Sequence, residues 1–346
     1  MVSKNYCMSS FLAFRRIVRD DMDFYEDVHH RTYKLMLDSC KTNVDSAHEI
    51  DVAISTQFEK IKGKKLGLLL SGGMDSAILA SYMRGQDAYT FRFLNGGFQE
   101  TEMQRAEYYA NYYGMHLHYV DINWEVVYKL LPKIMSSKGA PIHSIEPQIL
   151  AAALQAQADG IDKMIIGDAA DYVFGGMDKL LAHDWLFDDF VKRYIYINPA
   201  EVLVSPVNIT SEFEDYRLAD NKIDYLRFMN NDTMIESYGS YENAFHVAKL
   251  PYLDPYETLK LCSPLNLKRI RNGESKYLIR ELFQLKYPGI TVPEKNPMPR
   301  PVDMYFKDWA GPQRVEFRKD IPINQYNGNQ KWLLWCLEEF LTMFES

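Results

Sequence analysis

Hydrophobic positions fall into two regimes along the chain. From residue 66 to 166, short apolar runs alternate with stretches of helical spacing. Leu66–Leu70 (LGLLL) is short, continuous and apolar, the pattern of a strand buried on both faces. SGGMDS follows, and then Ala77–Met83 reads as a helix. Asp87–Phe93 reads as a second strand, closed by a turn at Asn95-Gly96-Gly97. Glu102–Tyr113 has helical spacing, Leu117–Val120 reads as a third strand and Pro147–Ala158 as a strong helix. Lys163–Ile166 is the fourth strand, ending at Gly167. Strands and helices alternating at this rhythm predict βαβ units, hence an α/β fold with a parallel sheet flanked by helices. Beyond about Asp178, aromatic residues and leucines recur at helical spacing in WLFDDFVKRY, NKIDYLRFM, SKYLIRELFQL and NQKWLLWCLEEFL, predicting a mostly helical C-terminal half. Residues up to about Asp51 also read as mostly helical, ahead of a short basic turn at Lys60–Lys65.

Composition narrows the class. At 346 residues with 47% apolar and 25% charged side chains, the chain can bury a full core. No apolar run reaches the roughly 18 residues of a membrane helix, and the N-terminus lacks the apolar stretch of a signal peptide, so no membrane association is expected. The cysteines, Cys7, Cys40, Cys262 and Cys336, are far apart and form no CxxC pair. That excludes a disulfide scaffold or a cysteine zinc cluster and suits a cytoplasmic protein. A net charge of −8 makes nucleic acid an unexpected partner. Oligomeric state is not legible, and a homo-oligomer stays open.

The chemistry is concentrated after the first strand. Ser71-Gly72-Gly73-Met74-Asp75-Ser76 joins a predicted strand to a predicted helix. Two glycines let the backbone turn sharply and approach a ligand, and outward-facing N–H groups can cradle a pyrophosphate. Ser71 and Ser76 add hydroxyls. Asp75 would repel phosphate directly but makes sense as a ligand of Mg²⁺. No Gly-Lys-Ser/Thr follows, so this is not a Walker A loop. A Gly-Gly turn capped by Asp-Ser is the plainer alternative. SGGMDS resembles the loop of the PP-loop ATP pyrophosphatases, which split ATP into AMP and pyrophosphate while adenylating a substrate oxygen.

A second motif follows the fourth strand: Gly167-Asp168-Ala169-Ala170-Asp171-Tyr172-Val173-Phe174-Gly175-Gly176. Ligands bind at strand ends in parallel sheets. Asp168 and Asp171 emerge there, and Asp171 can complete a Mg²⁺ site begun by Asp75. The segment resembles SG(D/E)GADELFGG of the asparagine synthetase family, which includes the β-lactam synthetases. Collinear matches are Pro251-Tyr252-Leu253-Asp254, the KxxLR-like Lys276–Glu281, the loop around Lys295 and a closing helix at Trp332–Leu341. Ser10–His30 is similar to the link preceding the synthetase domain, so residues 1–50 are read as a helical extension and 51–346 as the synthetase-like domain.

The resemblance implies an AMP-forming carbon–nitrogen ligase acting on a small-molecule carboxylate, with ATP and Mg²⁺. It implies that Ser71, Gly72, Gly73 and Ser76 hold pyrophosphate, that Asp75 and Asp171 hold the metal, and that Leu69, Phe91 and Gly167 border the adenosine. It places Lys295 at the α-phosphate, and Asp168 is the candidate base for the incoming nitrogen. Full-length members carry a glutaminase domain with an N-terminal cysteine. Here Val2 follows Met1, so ammonia is expected to come free or from a separate glutaminase, unless the donor is an amine. Asp168, Ala169 and Tyr172 depart from the family pattern around the reacting centre, which suggests an acceptor other than aspartate. Arg92 stands where a glycine is usual. An enzyme activating a different oxygen, and a non-catalytic nucleotide-binding protein, are the alternatives.

Overall fold

The computed structural model describes residues 1–94, 99–294 and 298–345. Within them the strands are β1 (Thr42–Val44), β2 (Leu66–Leu69), β3 (Asp87–Phe93), β4 (His116–Ile122), β5 (Lys163–Ile165), β6 (Tyr252–Leu253) and β7 (Leu259–Leu261). The helices of the first half are α1 (Lys4–Phe14), α2 (Ala47–Lys60), α3 (Met74–Ala80), α4 (Glu100–Tyr112), α5 (Trp124–Lys138), α6 (Glu146–Ala158), α7 (Ala170–Val173) and α8 (Asp178–Leu181). Those of the second half are α9 (Phe187–Tyr194), α10 (Pro199–Val202), α11 (Tyr225–Phe228), α12 (Met234–Ala248), α13 (Leu267–Arg271), α14 (Tyr277–Lys286), α15 (Val302–Tyr305) and α16 (Gly328–Glu345).

A five-stranded sheet runs in the order β4-β3-β2-β5-β6, every pair parallel. The chain steps outward from β2 through β3 to β4, then returns to lay β5 on the other side of β2. The order therefore reverses between β2 and β5, and the carboxyl ends of those two strands open a crevice. Both faces of the sheet are covered. Leu66, Leu68, Ala88 and Ile165 face a core shared with α2, α3, α4 and α14. Tyr89, Phe93, Val120, Ile122 and Met164 face the other core, filled by α1, α5, α6, α16 and much of the helical half. A small second sheet pairs β1 with β7 in parallel.

The α/β architecture is the one the alternating pattern predicts. β3 spans the expected residues, and β4 is longer at both ends because it pairs with β3 along its whole length. α3 begins at Met74 rather than Ala77, so Asp75 and Ser76 lie in its first turn. NKIDYLRFM forms only the single turn of α11, which passes through a π-turn at Met229–Thr233 into α12. α12 stands out poorly in sequence because its buried side includes Glu236, Ser237, Ser240 and Asn243. The N-terminal stretch is less helical than expected: after α1, residues 15–41 form no helix longer than the 3-10 turn at Asp38–Cys40. The turn expected at Asn95-Gly96-Gly97 lies outside the described residues. No helix among the described residues is long and apolar enough to cross a membrane.

Candidate functional site

The crevice at the strand switch is a cleft with room of about 160 Å³. It is lined by Leu69, Ser71, Asp75, Ser76, Phe91, Gly167, Asp168 and Asp171 from the sequence reading, with Tyr89, Glu102, Tyr241, Met298 and Pro299 besides. The two motifs, far apart in sequence, thus share one cleft.

The SGGMDS loop is held in shape by its own serines. The Ser71 backbone N–H donates to Ser76 Oγ at 3.1 Å, the Gly73 N–H donates to Ser71 Oγ at 3.1 Å, and the two hydroxyls lie 3.0 Å apart. Both serines brace the turn, a role the sequence reading did not assign. Gly72 is required by space: a Cβ there would come within 2.6 Å of the Glu102 carbonyl oxygen on α4. The loop therefore lies directly against the helix beside it.

The second motif is anchored from β6. Asp254 is buried, and its carboxylate accepts from the Ala169 N–H (2.8 Å), the Tyr238 hydroxyl (2.7 Å) and the Tyr256 N–H (3.0 Å). Burial still raises this carboxyl to about 7. The matched Asp254 is thus a bracket that sets the loop carrying Asp168 and Asp171. Tyr256 also donates its hydroxyl to the Asp75 carbonyl at 3.0 Å, linking the same bracket to the first motif.

Between Asp75 and Asp171 sits a lysine to which the sequence reading gave no site role. Lys276 Nζ lies 2.6 Å from Asp75 Oδ2 and 2.8 Å from Asp171 Oδ1. Burial opposes its charge, but the two carboxylates outweigh that and push its pKa up. Lys276 adopts φ 51°, ψ 42°, left-handed backbone, which costs a non-glycine residue on the order of 1 kcal/mol. The double ion pair offsets this strain. Gly176 makes room for the arrangement, since a Cβ there would fall 2.0 Å from Asp171 Oδ1 and 2.9 Å from Lys276 Cδ. A lysine just ahead of an amphipathic helix was the available sequence signal, and only tertiary contact reveals its target.

The paired carboxylates suit a hard divalent cation, because Mg²⁺ commonly takes one or two carboxylates plus substrate phosphates. The lysine ammonium marks the point between them where positive charge is favoured. Among the described residues no group of three or more His, Cys, Asp or Glu side chains could hold a metal by itself. Phosphate oxygens would have to complete any such coordination.

Asp168 sits deeper in the same cleft. Ser237 on α12 donates its hydroxyl to Asp168 Oδ2 at 2.6 Å. Burial raises this carboxyl to about 8, the Ser237 hydrogen bond opposing and Asp254, Asp171 and Glu236 adding to the rise. Tyr172 and Ala169, the other departures from the family pattern, are buried beside it. Arg92 turns away from the cleft, donating to both oxygens of Asp121 on β4 at 2.6 and 3.0 Å. Lys295 lies outside the described residues. His118, set aside in the sequence reading, pairs with Asp87 and stacks on Tyr89.

The chain has no match among curated proteins. Similar solved structures include a U34-tRNA thiolase from Methanococcus maripaludis, 14% identical over 85% of this chain and 80% of that one, with a TM-score of 0.33. Another is the NMN synthetase from Francisella tularensis, 13% identical over 72% of this chain and 96% of that one, with a TM-score of 0.28. Residues 52–232 match the asparagine synthase family. The matched span holds both cleft motifs and a little over half of the chain, while Asp254 and Lys276 join the site from beyond it. The protein belongs to the asparagine synthase family.

Proposed function

We propose that this protein is an ATP-dependent carbon–nitrogen ligase that activates a carboxylic acid as its adenylate and passes the acyl group to ammonia or an amine. One observation carries the reading: the glycine-rich loop, the carboxylate pair around Lys276 and the raised Asp168 carboxyl meet in one cleft at the strand switch. In this reading the carboxylate oxygen of the acid attacks the α-phosphorus of ATP and pyrophosphate leaves. The nitrogen then attacks the acyl carbon, AMP leaves, and one proton is lost from nitrogen.

Each residue has a part. The Ser71–Ser76 loop seats the pyrophosphate, with Gly72 and Gly73 permitting the close approach. Leu69, Phe91 and Gly167 border the adenosine. Asp75 and Asp171 would hold Mg²⁺, which supplies charge neutralisation on the phosphates. Lys276 orients those carboxylates through its two ion pairs. Lys295 offsets charge at the α-phosphate. Asp168 takes the nitrogen's proton, a task suited to a carboxyl that titrates near neutrality. The nitrogen donor is ammonia, free or released by a separate glutaminase, or an amine.

The test is pyrophosphate release with Mg²⁺, ATP and ammonium across a panel of ¹⁸O-labelled carboxylates, with Asp171→Asn as the blank. Release that depends on one acid, with ¹⁸O carried into AMP, is the expected result. Formation of ADP and phosphate, or AMP free of label, would overturn the reading.

A further inference from the structure

The proposed chemistry uses the end of the cleft that follows β5, where Asp168 lies, and the loop that follows β2. β3 lies on the other flank of β2, and the polar side chains of the wall it shares with α4 have no part in that chemistry. Leu69, Tyr89, Phe91 and Met103 give this wall an apolar face, and Gln99 and Glu102 stand among them. An apolar slot with a few placed polar groups is the usual make-up of a small-ligand pocket. α4 is fixed against the phosphate loop, because a Cβ at Gly72 would lie 2.6 Å from the Glu102 carbonyl oxygen. Gln99 caps the same helix, one turn before Glu102. The wall therefore starts at the loop and runs away from it. The half-buried Glu102 puts a carboxylate there, which disfavours phosphate on this wall. What the wall can take is the uncharged end of a nucleotide.

Gln99 is only 4% exposed, so its amide has little access to bulk water. Its Nε2 donates to Met103 Sδ at 3.4 Å, its only hydrogen bond among the described residues. A thioether is a weak acceptor, so this contact orients the amide without satisfying it. Nε2 is turned toward Met103, and Oε1 is left as an acceptor that no described donor meets. A shielded amide oxygen in that state costs free energy until a ligand supplies the donor.

We propose that Gln99 reads the nucleotide base, its Oε1 accepting from an exocyclic amine, so that the site takes adenine and turns away a 6-oxopurine. Adenine presents an amino donor at C6, whereas guanine and hypoxanthine present an oxygen acceptor there. Set against Oε1, that oxygen leaves two acceptors facing each other, both shielded from water and neither paired. Inosine triphosphate (ITP) is the sharp comparison, because it differs from ATP only along the C6–N1 edge of the base. This inference rests on the reading of the loop as an ATP site, but not on the fate of the acid.

Binding of Mg²⁺-ATP and Mg²⁺-ITP is measured by titration calorimetry on wild type, Gln99→Leu and Gln99→Glu, with no acid present. Pyrophosphate release is then measured with both nucleotides across the carboxylate panel. Wild type is expected to bind ATP about tenfold or more tightly than ITP. Gln99→Leu removes the acceptor, so ATP binding should weaken and the two nucleotides should bind about equally. Gln99→Glu keeps an acceptor at the same place and should keep the preference for ATP. If Gln99→Leu fails to fold, the wild-type ratio and Gln99→Glu still decide. Equal affinity of wild type for ATP and ITP, or a preference that survives in Gln99→Leu, would overturn the assignment and leave the ligase reading standing. Loss of the preference in Gln99→Glu as well would overturn the acceptor role. A Gln99-dependent preference for ATP with no pyrophosphate released by any acid would uphold the assignment and sink the ligase reading. Binding of neither nucleotide would sink both.

Discussion

Asp168 shows how much one side chain owes to its surroundings. In an unfolded chain it titrates near 3.8, whereas burial raises it to about 8 in the folded protein. Between those values the folded state keeps a proton that the unfolded state has released, so stability falls as pH rises across that window. Asp168→Asn removes the titration. Its melting temperature should gain on wild type as pH goes from about 5 to about 9; a constant offset would contradict the raised carboxyl. In catalysis the sign reverses, because a base works when deprotonated. Amide formation should rise with pH through about 8 in wild type and be lost in Asp168→Asn, while label transfer to AMP persists. Loss of both steps would remove Asp168 from the proton-transfer role. The sequence singled out Asp168 because it follows a strand end of a parallel sheet, where ligands bind, and the structure sets it in the cleft. Lys276 was not singled out, because a lone basic residue carries no pattern and its partners lie more than a hundred residues away.

At the scale of elements, the phosphate loop is a packing device before it is a binding device. β2 delivers it, α3 begins within it, and α4 presses on it from the side, leaving no room for a side chain at position 72. Gly72→Ala has to push against the backbone of α4, a rigid neighbour. Overpacking of this kind costs about 1–3 kcal/mol, so the urea midpoint should fall and ATP affinity should fall with it. A variant with unchanged midpoint and unchanged affinity would show that α4 yields freely. The strands and α6 were readable because each buries a continuous face. α12 was not, because its inner face carries Glu236, Ser237, Ser240 and Asn243, and polar residues facing a polar recess erase the apolar stripe that marks a helix.

Across the whole molecule, the two ends of the chain close over one face of the sheet. Phe11 and Phe14 of α1 are buried in the same core as Trp332, Leu337 and Phe340 of α16. Arg16 pairs with Asp232, fastening the segment after α1 to the π-turn that starts α12. The first turns of the chain therefore carry weight in the core and also set Arg15 against Glu236. Phe11→Ala should destabilise the protein by about 3–5 kcal/mol, read as a lower midpoint in chemical denaturation. A loss below about 1 kcal/mol would show that α1 is dispensable to the core.

The sequence by itself determined the α/β class, the parallel sheet and the two motifs at its strand ends, because these depend on local periodicity and on short runs whose chemistry is confined to neighbours. It also carried the candidate roles of Asp75, Asp168 and Asp171, since a carboxylate beside a phosphate-type loop has a narrow set of explanations. Only the tertiary structure decided that the two motifs face each other across β2 and β5, that Lys276 stands between their carboxylates and that Asp254 brackets the second loop. Charge pairing is set by distance in space, and no spacing along the chain records which residues from remote helices will meet in one recess.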